Sequence, residues 1–213
     1  MNILITGASR GIGAGLSAHY KDAGHTVFGT GRSSVAEVTL DVTQPSAHTA
    51  MAAQLADLPL DLVVCNAGVF LDRGDALDTG YAADLWAQTF AANVTGVFLT
   101  IQALLPNLRL SAAPKIAIIS SQMASHTHAP GGSYIYRASK AAVLNLGRNL
   151  AADLAGEIAV GIYHPGWVQT DMGGATAAIT VDESVAGLVA RFADLSHDST
   201  GCFETWDGRP HPY

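Results

Sequence analysis

Short apolar runs alternate with longer amphipathic stretches from one end of the chain to the other. The apolar runs at residues 3–6, 26–30, 62–65, 115–120, 158–163 and 201–205 are short and bounded by Gly, Ser, Asn or charge, as buried strands are. Helical spacing marks 13–23, 46–55, 81–108, 134–154 and 182–194. Strands that read as continuous hydrophobic runs, each followed by a helix, imply a parallel sheet covered on both faces. The pattern therefore predicts an α/β fold: a single-domain, Rossmann-like, doubly wound sheet over residues 1–213. One stretch resists it. Residues 39–42 look like a third strand, yet few residues separate them from the second, whereas a parallel crossover usually needs about a dozen. We expect a loop there, in place of the usual crossover helix.

Composition narrows the class. Of 213 residues 49% are hydrophobic and 14% charged, enough apolar material for a large core and too little charge for disorder. The 11 basic residues against 18 acidic ones give a net charge of −7, which argues against nucleic acid or an anionic membrane as partner. The longest apolar runs look too short to cross a bilayer. The His residues are scattered, with no cluster at metal-ligand spacing, so no metal is expected. Cys65 and Cys202 form no disulfide framework, and the first strand begins almost at Met1. These features suit a cytoplasmic protein.

Residues 6–13 read Thr-Gly-Ala-Ser-Arg-Gly-Ile-Gly between the first strand and the first helix. Glycines there allow a tight turn and let backbone N–H groups approach a pyrophosphate, which the helix N-terminus also favours. Gly7, Ser9, Arg10, Gly11, Ile12 and Gly13 are thus candidate dinucleotide contacts. After the second strand the chain carries Gly31 and Arg32, and no acid. An NAD site places a carboxylate there for the ribose hydroxyl, whereas an NADP site places a cation for the 2′-phosphate. Arg32, with Arg10 reaching the same phosphate, favours NADP(H) over NAD(H); the alternative is two solvated surface arginines.

Tyr136 and Lys140 lie one helical turn apart within 134–154, on one face. A neighbouring ammonium stabilises a phenolate and brings a tyrosine toward useful acid–base chemistry at neutral pH. A hydroxyl from Ser121 is positioned in sequence to bond a substrate carbonyl oxygen. By itself a Tyr-x-x-x-Lys pair arises by chance on many helices.

The set is more specific than its parts. The glycine loop at 6–13, Asn66-Ala67-Gly68, Asn93, Ser120-Ser121, Tyr136 with Lys140, and Pro165-Gly166 occur in the order found in the short-chain dehydrogenase/reductase superfamily, which the chain resembles over nearly its whole length. The segment 164–173 and the ending 206–209 resemble the branch that includes C-factor-like proteins and carbonyl reductases. The resemblance implies that Tyr136 is the general acid in reduction and the base in oxidation. Lys140 would lower its pKa and bond the nicotinamide ribose, Ser121 would orient the carbonyl, and Asn93 would hold a water in the proton relay. It also implies that Asp41 and Val42 line the adenine, that Asn66, Ala67 and Gly68 flank the cofactor, and that Val168 and Thr170, after Pro165 and Gly166, bond the carboxamide. The substrate would be a small carbonyl or alcohol, and the assembly a homodimer or homotetramer through helices 81–108 and 134–154. The competing reading is a signalling or regulatory protein that binds a dinucleotide and has little or no turnover.

The chain departs from the pattern in places. Cys65 stands where Asn is common. The short connection after Arg32 removes cover from the adenine pocket. The short segment between Thr170 and Asp182 predicts an open substrate pocket. His126, His128, Asp72, Arg73 and Asp75 read as solvated, and His164 as a hydrogen-bonded structural histidine. Trp167, Met172, Gln122 and Met123 are either pocket wall or ordinary core.

Overall fold

The computed structural model describes residues 1–33 and 35–213. Its seven strands are β1 (Asn2–Ile5), β2 (Thr26–Gly31), β3 (Val38–Thr39), β4 (Leu62–Cys65), β5 (Lys115–Ile119), β6 (Ala159–His164) and β7 (Phe203–Thr205). They form one parallel sheet in the order β3-β2-β1-β4-β5-β6-β7. The helices are α1 (Gly11–Asp22), α2 (Pro45–Gln54), α3 (Ala83–Phe90), α4 (Gly96–Arg109), α5 (Tyr134–Asp153) and α6 (Val181–Asp194). The doubly wound α/β fold expected from the sequence is the observed one.

Alternation along each strand builds two cores. Ile3 and Ile5 face α1 and α6, where Leu16, Tyr20, Val185, Leu188 and Phe192 are buried with them. Leu4, between them, points the other way and joins Met51, Ile101, Val143 and Leu144 of α2, α4 and α5. Both faces are buried, so both positions of the alternation are apolar and the strands read as unbroken hydrophobic runs. The strand order reverses between β1 and β4. Ligands of open α/β sheets bind at such a switch point, beyond the carboxyl ends of the strands.

Three sequence expectations need correction. The third strand looked for at 39–42 is instead Val38 and Thr39, two residues paired with Thr30 and Gly31. Among the described residues before it, 32–33 and 35–37, there is no helix, so the loop in place of a crossover helix is as expected. The helix over 81–108 starts later and is interrupted: a π-helical turn, Ala91–Thr95, joins α3 to α4. Such turns are rare and concentrate at functional sites. Finally, the helical stretch Ala83–Arg109, taken across the π turn, is long and apolar enough to span a bilayer, contrary to the estimate from run lengths. Its apolar character is accounted for by packing, since Val97, Ile101, Leu104 and Leu108 are buried in the core beneath the sheet.

Helix α5 approaches the sheet closely because Gly147 has no side chain. A Cβ there would lie 2.6 Å from Ile162 Cγ1 and 3.1 Å from Ile118 Cδ1. Gly147→Ala should therefore push α5 off β5 and β6, costing about 1–3 kcal/mol by overpacking. The expected readout is a thermal midpoint lowered by several degrees, roughly 2–4 °C per kcal/mol for a chain of this size.

Candidate active site

The turn after β1 is shaped to accept an anion. Gly7 and Gly11 have φ of +68° and +55°, and a Cβ on Gly7 would sit 3.0 Å from the Ala67 backbone. Gly13 lies against the same turn from inside: its Cβ would fall 2.3 Å from the Gly7 carbonyl oxygen. Arg10 at the start of α1 offers no side-chain cap to the helix, so the first N–H groups of α1 have no such partner. Thr6 locks the turn to the end of β4, its Oγ1 accepting the N–H of Asn66 and of Ala67 at 3.0 Å each. Asn66 Nδ2 donates back to the carbonyls of Thr6 and Gly7, at 3.0 and 3.2 Å. These two motifs, 60 residues apart, are one hydrogen-bonded unit.

A cleft of about 550 Å³ runs from this turn along the carboxyl ends of the strands. Of the residues singled out in the sequence, Gly7, Ser9, Arg10, Gly11, Ile12, Arg32, Asp41, Val42, Asn66, Ala67, Gly68, Tyr136, Lys140, Pro165 and Thr170 line it. Gly13 supports the turn from behind. Gly166, Val168 and Ser121 line a second cavity of about 270 Å³, together with Phe70, Arg73, Gln122, Met123, His164, Trp167 and Met172. The two spaces share Ile12, Ser120, Tyr136, Pro165, Thr170 and Met172, so they adjoin at Tyr136. The second opens to solvent past Trp167 and Met172, which are 50% and 38% exposed. Of the alternatives left open for Trp167, Met172, Gln122 and Met123, cavity wall is the one observed. The solvated reading holds for His126 and His128, both exposed.

The two cations expected to converge, Arg10 and Arg32, both line the larger cleft. Arg10 pairs with Asp171 at 2.7 Å, on the loop beyond Pro165 and Gly166. Arg32 lies by Asp41, whose carboxyl is held below its usual range chiefly by bonds from Thr43, with a smaller contribution from Arg32. The Arg10–Asp171 pair is largely exposed, and such pairs contribute little.

Tyr136 and Lys140 are both buried on α5. The Lys140 Nζ stands 5.6 Å from the Tyr136 ring centroid and donates to the Ile119 carbonyl at 2.9 Å. Burial pushes the phenol up to about 12, against smaller lowering effects from the Ser121 hydroxyl and from Arg73. It pushes the ammonium down to about 8. Each shift favours the neutral form. The lowered tyrosine pKa expected from the sequence is thus reversed, because desolvation of the phenol outweighs its neighbours.

The serine pair is divided by its bonds. Ser120 Oγ donates to the Lys140 carbonyl at 3.1 Å. Ser121 Oγ only accepts, from the Met123 N–H at 3.1 Å, so its proton is left for another partner. Asn93 sits in the π turn and lines neither cavity. Its Oδ1 accepts the Val69 N–H at 2.8 Å, and its Nδ2 donates to the Val69 carbonyl and to Ser139 Oγ, at 2.9 and 3.0 Å. Asn93 thereby ties the loop after β4 to α5.

Of the residues set aside in the sequence, Arg73 lines the second cavity and is exposed as expected, whereas Asp72, Asp75 and His164 depart from expectation. Asp72 is fully buried, not solvated. Its carboxylate accepts the Ile135 N–H at 2.9 Å and the Tyr136 N–H at 3.3 Å. It caps α5, whose own cap position, Ser133, has φ +48° and makes no side-chain capping bond. The positive end of the helix and two charge-assisted bonds compensate for the buried charge. A polar residue between Leu71 and Arg73 gave no local signal of this, because the partner lies 63 residues away. Asp75 is partly buried and accepts the Tyr81 N–H at 2.9 Å. His164 is 8% exposed, and its Nδ1 has no partner among the described residues. Burial brings it down to about 4, so it is a neutral wall of the second cavity rather than a hydrogen-bonded structural histidine.

A doubly wound sheet with a glycine-turn cleft at its switch point, joined to a small cavity beside a buried Tyr–Lys pair, defines a dinucleotide-dependent oxidoreductase fold. The short chain dehydrogenase family model matches residues 1–179. The chain is 38% identical to the C-signal protein of Myxococcus xanthus over 157 residues, 73% of this chain and 93% of that one. It is 33% identical to 1-hydroxy-2-glutathionyl-2-methyl-3-butene dehydrogenase of Rhodococcus sp. (strain AD45), over 97% of this chain and 96% of that one. The NADPH-bound carbonyl reductase from chicken fatty liver superposes with a TM-score of 0.90 at 30% identity, covering 100% of this chain and 98% of that one. The carbonyl reductase Sniffer of D. melanogaster gives 0.92 at 26%, covering 100% and 99%. The chain therefore belongs to the short chain dehydrogenase family and is a dehydrogenase/reductase.

Removing the Asp72 carboxylate should leave two buried N–H groups of α5 unpaired. Asp72→Ala is expected to lower stability by about 2–3 kcal/mol in urea unfolding, while Asp72→Asn, which keeps one acceptor, costs less.

Proposed function

We propose that this protein is a cytoplasmic NADP(H)-dependent carbonyl reductase, acting as a homodimer or homotetramer. The observation that carries the reading is the junction of the two cavities at Tyr136, with Ser121 on one side and Lys140 on the other. A nicotinamide dinucleotide bound in the larger cleft would supply the hydride. The turn at Gly7 and Gly11 would hold the pyrophosphate, Asp41 and Val42 the adenine, and Arg32 the 2′-phosphate. Arg10 would join Arg32 by exchanging its exposed partner Asp171 for the phosphate. Lys140 would bond the ribose, and Val168 and Thr170 the carboxamide.

The chain's own chemistry runs through Tyr136. At neutral pH its phenol keeps its proton, as a proton donor must. A carbonyl oxygen accepting from the Tyr136 and Ser121 hydroxyls is held and polarised, and the Tyr136 proton passes to it as negative charge develops there. The Lys140 ammonium then stabilises the phenolate that remains. Asn93 bonds the loop after β4 and Ser139, and so keeps Lys140 and Tyr136 in register. The open second cavity supports a range of small aldehydes and ketones as substrates.

Tyr136→Phe should lower kcat by about a hundred- to ten-thousandfold for NADPH-dependent aldehyde reduction followed at 340 nm, with NADPH binding kept. NADPH binding without turnover in the wild type would instead support the regulatory reading. The pH–rate profile of reduction should stay level below pH 8 and fall as Lys140 loses its proton near 8, well before Tyr136 titrates. Arg32→Ala should weaken NADPH about tenfold and NADH little in fluorescence titrations, since only the former has the 2′-phosphate.

A further inference from the structure

The second cavity holds one formal charge near neutral pH. Among its described lining residues Arg73 is the single cation, and no acid lines it; His164 is held neutral by burial. The rest of the wall is apolar or neutral: Phe70, Met123, Trp167 and Met172, with Ser121 and Tyr136 at the inner end. No acid among the described residues pairs with Arg73, although the chain carries an excess of acids. Its guanidinium has one protein hydrogen bond, to the Met172 carbonyl, so most of its five donors are unused.

Arg73 is exposed, on a loop whose neighbouring residues are fixed. Asp72, its neighbour, is anchored in the N-terminus of α5. Phe70, three residues before, stacks on the Tyr136 ring with centroids 4.3 Å apart and planes at 19°. The Arg73 guanidinium carbon lies 5.0 Å above the other partner in this stack, the Phe70 ring. The guanidinium is therefore at most about 9 Å from the Tyr136 ring centroid, and both sit on the same cavity wall. The arrangement is a donor fork at a set distance from the proton-donating phenol, with an apolar surface between them.

We propose that Arg73 is a specificity residue, and that the preferred substrates are carbonyl compounds carrying an anionic group, a carboxylate or a phosphate, a few bonds from the reacting carbon. With the carbonyl oxygen at Tyr136 and Ser121, the connecting carbons lie along Phe70 and Met172, and the anion meets the guanidinium. Planar bidentate pairing with carboxylate or phosphate is what an arginine does better than other side chains. This rests on the carbonyl-reductase reading given above.

The test compares matched substrates. 4-Carboxybenzaldehyde is run against its methyl ester, and 4-formylphenyl phosphate against 4-methoxybenzaldehyde, each with NADPH. Wild type, Arg73→Leu and Arg73→Lys are assayed, and calorimetry of each NADPH complex with the same compounds reads binding without turnover. The expected result is a preference of about tenfold or more in kcat/KM for the charged member of at least one pair, carried mostly by KM. Arg73→Leu should abolish that preference, read as the ratio of charged to neutral compound within each pair, and Arg73→Lys should restore part of it. Which pair responds separates carboxylate from phosphate. Equal losses on charged and neutral compounds in Arg73→Leu would make Arg73 a loop fastener through Met172 and overturn the proposal, as would a wild type with no charge preference. Turnover of none of the four aldehydes by wild type would count against the reductase reading itself. In that case the calorimetric preference for the anion, present or absent, still decides the role of Arg73.

Discussion

A buried carboxylate holds the site together. Helix α5 carries Tyr136 and Lys140, yet its first turn begins from a left-handed Ser133 that supplies no cap. Asp72 meets the need from the loop after β4. Uncapped N–H groups at a buried helix start would be costly, and so would a buried carboxylate without donors. Each satisfies the other. The consequence reaches beyond α5, because the same loop places Phe70 on the Tyr136 ring and Arg73 over Phe70. One capping interaction thus aligns Tyr136 with the wall of the adjoining cavity.

Burial then sets the chemistry. Tyr136 and Lys140 are each driven toward neutrality by loss of water, the phenol upward and the ammonium downward. The Tyr136 phenol therefore keeps its proton at neutral pH. The Ser120 hydroxyl is spent on the Lys140 carbonyl and fixes α5 to the end of β5, which leaves Ser121 to face the cavity. Two adjacent serines of equal chemistry are given different tasks by what their hydroxyls touch.

Packing also explains why two glycine-bearing motifs far apart in sequence behave as one. Gly7 allows Ala67 to approach, and Asn66 closes the gap with bonds to Thr6 and Gly7. At the β2 side the cleft is lined by Arg32, Asp41 and Val42, beside a β3 only two residues long.

Local chemistry determined a good deal by itself. Buried parallel strands must be apolar on both faces, so their runs were legible, as were the helices between them and the order of the sheet's class. The glycine turn and the Tyr136–Lys140 spacing were legible because each depends on neighbours within a turn or two of chain, whereas Asn66-Ala67-Gly68 was legible only through the family resemblance. Tertiary structure decided the rest. Whether Asp72 is solvated depends on a helix start 63 residues on, and no local pattern encodes that contact. The direction of the Tyr136 shift depends on how much water the fold excludes, a property of the whole packed core. The partner of Arg10 depends on a loop 161 residues away. The surviving stub of β3 depends on hydrogen bonds from the β2 edge, which are stronger evidence of a strand than the length of its connection. Sequence records which groups are available at each position; long-range packing decides which of them meet, and how dry the place is where they do.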